Sequence, residues 1–172
     1  MSLYFMLALV IINIMLKVKN WPLLIFAVLL SEGAGILGSF FTFSSIPTWY
    51  ATLTKPSFSP PNFVFGPVWT ILYALMGISL YLVWTSNAKS KQYAVKLFFI
   101  QLGLNASWSI IFFGLKSPGL ALIEIIALWV AIFLTIKAFH KISKVASYLL
   151  YPYLAWVSFA AILNFSIWIL NR

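Results

Sequence analysis

Five stretches of this chain, residues 21–43, 63–84, 93–113, 118–139 and 147–170, each run for roughly twenty residues with no more than two charged side chains apiece. The hydrocarbon core of a bilayer is about 30 Å thick and a helix rises about 1.5 Å per residue, so about 20 apolar residues make one crossing. The runs are continuous rather than alternating, which is the pattern of a spanning helix and not of a barrel strand. The sequence therefore predicts an all-α integral membrane protein, a five-transmembrane-helix bundle. Composition agrees: 63% of the residues are hydrophobic and 8% are charged, against about 25% charged in a soluble domain, too few to coat a water-facing surface. One membrane domain, residues 21–172, follows an apolar N-terminal extension, residues 1–20.

The formal net charge of +9 does not point to nucleic acid, because the eleven basic residues are dispersed over short loops between the apolar runs. Their task is orientation. With five spans the N-terminal side holds Lys17, Lys19, Lys89, Lys91, Lys96, Lys137, Lys141 and Lys144, and the opposite side Lys55, Lys116 and Arg172. The positive-inside rule then places the N-terminal side in the cytoplasm. The absence of cysteine removes disulfides, thiolate nucleophiles and cysteine metal sites. One histidine and two acids argue against a metal site or a Ser-His-Asp triad. No cofactor is expected. The chain shows no mitochondrial transit-type segment and prefers lysine to arginine, so the expected location is a prokaryotic plasma membrane.

The separators carry turn and charge signals, as in Ser86-Asn87-Ala88-Lys89-Ser90-Lys91, Lys116-Ser117-Pro118-Gly119 and His140-Lys141-Ile142-Ser143-Lys144. Only the loop 44–62 is long, and Pro47, Pro56, Pro60 and Pro61 hold much of it in extended or turn conformations. Ordered loops of that length act as lids or binding elements. Residues 1–16 are apolar but only about 24 Å long as a helix, and Lys17-Val18-Lys19-Asn20 cuts them from the first span. They read as a short extra helix, an interfacial segment or a signal-like stretch, or translation begins at Met15.

Polar residues at bilayer depth are costly and point to function, which singles out Glu32, Gln101, Asn105, Glu124 and Asn164. Glu32 is close enough to its helix end to snorkel or to be protonated. Glu124 sits near the opening turn of the fourth helix, where the positive dipole end favours a carboxylate. Asn105 and Asn164 lie mid-span, with Trp108 three residues after the first and Trp156 and Ala160 eight and four before the second. Each set shares one helix face. Such asparagines either hydrogen-bond neighbouring helices, at about 0.6 kcal/mol each, or face a ligand. Trp21, Trp84 and Trp168 fit the interfacial aromatic belt, whereas Trp69, Trp108, Trp129 and Trp156 lie deeper. Several of these converging with the two asparagines would make a mostly apolar pocket with a few polar contacts, suited to a tetrapyrrole, a sterol or an aromatic compound. Gly35/Ser39 and Gly103/Ser107 are small-xxx-small pairs that let backbones approach, and the Gly103/Ser107 helix is a candidate homodimer seam.

Longer motifs point to a family. Trp49-Tyr50-Ala51-Thr52-Leu53-Thr54-Lys55-Pro56-Ser57-Phe58-Ser59-Pro60-Pro61, followed by Phe65-Gly66-Pro67-Val68-Trp69-Thr70-Ile71-Leu72-Tyr73, resembles the first loop and second helix of the translocator protein family (TspO/MBR), also called tryptophan-rich sensory proteins or peripheral-type benzodiazepine receptors. Gln101-Leu102-Gly103-Leu104-Asn105-Ala106-Ser107-Trp108 is similar to its third helix, and Leu150-Tyr151-Pro152-Tyr153-Leu154-Ala155-Trp156 through Asn164 to its fifth. The resemblance implies a membrane receptor or sensor-like carrier, often dimeric, whose pocket between the helices is capped by the first loop. Its ligand positions would be Tyr50, Trp69, Tyr73, Asn105, Trp108, Glu124, Ile125, Trp156, Ala160 and Asn164. The implied partners are membrane lipid and a porphyrin of the protoporphyrin IX type, or another flat lipophile such as a benzodiazepine-type compound. Light-dependent degradation of porphyrin by Trp69 and Trp156 is the enzymatic alternative that the resemblance implies, and a purely structural bundle is the third reading. Phe58 stands where many members of the family carry tryptophan, and Phe165 where the animal cholesterol-recognition stretch has tyrosine.

Overall fold

The structure, a computed structural model, describes residues 18–172; the segment 1–16 lies outside it. Seven α-helices are present among the described residues: α1 (Trp21–Ser45), α2 (Trp49–Thr52), α3 (Asn62–Trp84), α4 (Lys91–Ser109), α5 (Pro118–His140), α6 (Lys144–Leu149) and α7 (Tyr151–Leu170). Five crossings result, because α4 runs on through a π-helical turn, Ile110–Gly114, and α6 and α7 follow one another to make a single span. The all-α membrane bundle is thus what the chain forms.

Local sequence sets the ends. Asn20 caps α1 by accepting from Leu23 N at 3.0 Å, and Pro22 follows in the first turn, where a missing N–H is harmless. Ser143 caps α6 in the same way, accepting from Ala146 N at 3.2 Å. The break between α6 and α7 falls at Leu150, with Pro152 opening the new helix, so the fifth span begins three residues earlier than the run 147–170. In the π turn Leu115 N donates to Ile110 O at 2.8 Å, five residues back. That extra residue per turn lets consecutive Phe112 and Phe113 both be buried.

The helices close into a ring: α1 packs on α3 and α4, α4 on α5, α5 on α7, and α3 on α6. The buried face of α1 is a stripe of small residues, Ala27, Ser31, Ala34 and Gly38, which admits the neighbouring backbones. A Cβ on Gly77 of α3 would meet the α1 backbone at Val28, with the Ala27 carbonyl oxygen 2.8 Å away. Large apolar side chains on the outer face of α1, such as Leu29 and Phe40, are exposed toward lipid. Lys19 N and Asn20 N both donate to Tyr81 Oη at 3.2 Å, which fastens the start of α1 to the end of α3. At this end α6 fills the gap between α3 and α5. Toward the opposite end, under residues 46–61, the bundle holds a cavity.

Candidate functional site

The cavity measures about 510 Å³, within the roughly 300–1,000 Å³ common for small-molecule sites. Every span contributes to its wall: Glu32, Gly35 and Ser39 from α1, Phe65, Trp69 and Tyr73 from α3, Asn105, Trp108 and Ser109 from α4, Ile125 and Leu128 from α5, and Trp156, Ala160, Leu163 and Asn164 from α7. Ile46 and Tyr50 close it from above. Its wall also includes Ile36, Phe43 and Phe63, which are 58%, 74% and 78% exposed, so the cavity opens sideways between α1 and α3 as well.

Aromatic rings and two amides build much of the wall. Tyr73 donates its hydroxyl to Asn105 Oδ1, and Asn105 Nδ2 donates to Tyr153 Oη at 3.0 Å, so α3, α4 and α7 are tied at one point. Trp108 Nε1 donates to Asn164 Oδ1 at 3.1 Å, and Asn164 Nδ2 donates to the Pro118 carbonyl at 2.8 Å, which ties α4, α7 and α5. Trp69 stacks on Tyr73 with centroids 5.4 Å apart, and Trp108 on Phe112 at 5.0 Å. Trp156 meets Phe65 edge-on at 5.9 Å, and its buried Nε1 finds no acceptor among the described residues. The two asparagines therefore hold helices together and line the cavity at the same time.

The loop above is fastened at three places. Tyr50, on α2, is buried edge-on against Phe113 at 5.6 Å, and Lys55 Nζ covers its other side 4.6 Å from the ring centre. Burial pushes the Tyr50 phenol up. Phe58 meets Phe159 of α7 edge-on at 6.3 Å. Thr54 N donates to Asn171 Oδ1 and Asn171 Nδ2 donates to the Thr54 carbonyl, both at 2.9 Å, so the chain end pins the loop through a paired bond.

Nine of the ten expected positions, Tyr50, Trp69, Tyr73, Asn105, Trp108, Ile125, Trp156, Ala160 and Asn164, surround the cavity. Glu124 does not: its Oε1 accepts from Ser107 Oγ at 3.1 Å, between α5 and α4, and its Oε2 is buried without a partner among the described residues. Ser107 is thereby turned toward α5. Gly103 instead joins Gly33, Ala34 and Ala106 in a shallow outward groove between α1 and α4. Trp129 lies off the cavity, donating to Ser158 Oγ at 2.8 Å and stacking on Phe133. Gln101 is buried with neither amide atom bonded among the described residues. Two contributors are not apparent from sequence pattern: Phe112, whose placement needs the π turn, and Asn171, which pins the loop; Glu32, singled out by its depth, lines the wall instead of snorkelling out. Tyr153 was within reach, since it stands one helical turn before Trp156.

A model of the TspO/MBR family matches residues 27–169. The chain belongs to the TspO/MBR family. The matched region contains every residue that lines the cavity. The chain is 50% identical over 148 residues to "Tryptophan-rich protein TspO" of Archaeoglobus fulgidus, which covers 86% of this chain and 96% of that protein. It is 42% identical over 135 residues to the human "Translocator protein", covering 77% of this chain and 80% of the relative. "Tryptophan-rich sensory protein" of Cereibacter sphaeroides is 35% identical over 123 residues, with 72% and 77% covered. As a TspO/MBR protein with five helices among the described residues long and apolar enough to cross, the chain is membrane-embedded.

Proposed function

We propose that this TspO/MBR protein is a membrane receptor or sensor-like carrier that takes a flat lipophile, a porphyrin of the protoporphyrin IX type foremost, into the cavity under the 44–62 lid. The observation that carries the reading is the cavity itself: about 510 Å³, walled by Trp69, Trp108, Trp156, Tyr73 and Phe65, with few polar atoms and a fastened cover. Stacked and edge-on rings are the surface that a planar aromatic ligand fits. The names borne by relatives, translocator and sensory protein, fit a binding-and-signalling role.

Titrating the purified protein with protoporphyrin IX should quench tryptophan fluorescence saturably. Trp69→Ala combined with Trp156→Ala should weaken binding at least tenfold, since base-like stacking on an aromatic side chain is worth about 1–3 kcal/mol each. Unchanged affinity in the double variant rejects the site.

The protein would reside in a prokaryotic plasma membrane with the lysine-rich end cytoplasmic. A homodimer would form along the outward groove at Gly103, where neither Gly33 nor Gly103 has a heavy atom within 4 Å of an added Cβ.

A further inference from the structure

Glu32 is the one carboxylate among the described residues that line the cavity, and no lysine, arginine or histidine is among them. It sits at the middle of α1, a half-buried acid at a depth where charge is costly. Most of the other polar side chains around the cavity already have partners. Asn105 and Asn164 are engaged by Tyr73, Tyr153, Trp108 and the Pro118 carbonyl. The hydroxyls of Ser39, Thr42 and Thr70 donate back to carbonyls of their own helices at 2.7, 3.2 and 3.1 Å. Glu32 is left as the strong acceptor of the wall. Lys55 is not part of the wall: its Nζ lies 4.6 Å from the centre of the Tyr50 ring and donates to the Leu53 carbonyl at 3.4 Å.

We infer that Glu32 is a specificity-determining residue: the cavity prefers flat lipophiles that carry a protonated amine or another cationic N–H donor toward α1, and it turns anionic groups away from α1. The inference rests on the cavity being the ligand site proposed above. A charged donor and a carboxylate make a hydrogen bond about twice as strong as a neutral pair, and a second carboxylate near Glu32 would be repelled. A ligand with carboxylates at one edge therefore has one allowed orientation, and a matched ligand with amines there gains a contact.

The test uses the full chain in vesicles of neutral phosphatidylcholine and three porphyrins sharing one ring: protoporphyrin IX, its dimethyl ester, and its bis-amide with a diamine. Tryptophan quenching gives an affinity for each. The amine form should bind roughly tenfold or more tighter than the ester, about 1.4 kcal/mol, and Glu32→Gln should bring that ratio close to one. Because both proteins sit in the same lipid, differences in partition cancel. Glu32→Asp should retain part of the preference, which separates loss of charge from loss of fold. A ratio that Glu32→Gln leaves unchanged, or an ester that binds the native chain as well as the amine, overturns the role of Glu32 while the pocket stands. Quenching by none of the three overturns both.

Discussion

Asn105 and Asn164 each bond two other spans, and each also faces the cavity. Removing one amide therefore does two things. In Asn105→Leu the hydroxyls of Tyr73 and Tyr153 lose their shared partner, and helix–helix hydrogen bonds in membranes are worth about 0.6 kcal/mol on average and about 1.7 at most. A loss of about 1–2 kcal/mol is expected in reversible unfolding from mixed micelles, together with weaker porphyrin binding. Asparagine at mid-span is conspicuous in a sequence because it has no cheap place in lipid, and the same holds for the deep Trp69, Trp108 and Trp156. Glu32 was visible for the same reason, but its direction was not: a carboxylate that snorkels and one that lines a cavity give the same letter at the same depth. Asn171 gave no signal, since its partner is the backbone of Thr54, more than a hundred residues away.

At the scale of elements, close approach is written in glycines, and neighbours decide which ones matter. Gly77 lies against the α1 backbone, so Gly77→Ala should force α1 and α3 apart and cost about 1–3 kcal/mol, as overpacking does. Gly33 has no heavy atom of its own chain within 4 Å of an added Cβ; in the detergent-dispersed monomer Gly33→Ala should be neutral or stabilise by up to about 1 kcal/mol through helix propensity. Thermal unfolding of the two variants side by side checks the pair, and equal effects would contradict the packing described. The lid offers a kinetic counterpart. Asn171→Ala removes both bonds to Thr54, and stopped-flow quenching should show ligand uptake and release both accelerated, with a smaller change in their ratio. Helix spans were legible because apolar length alone defines them. The π turn was not, because it breaks the 3.6-residue period from which buried faces are read, and so Phe112 and Phe113 could not both be assigned inward.

Over the whole molecule, hydropathy and lysine placement decide how many times the chain crosses and which way it faces. Reporters fused to the C-terminus should be active only on the non-cytoplasmic side, and a cytoplasmic C-terminus would contradict the orientation. The ring order of the helices was not legible, since apolar outer faces and apolar inner faces read alike in lipid; it follows from where small residues let backbones meet, as Ala27 and Gly77 do. The cavity opens not only beneath its cover but also sideways, past Ile36, Phe43 and Phe63 between α1 and α3. A lipophile dissolved in the bilayer thus meets the site while still in its own solvent, searching a sheet rather than a volume. The concentration that governs occupancy is then ligand per lipid molecule, so the same protein given more membrane at fixed total ligand will bind less of it, with nothing in the site changed.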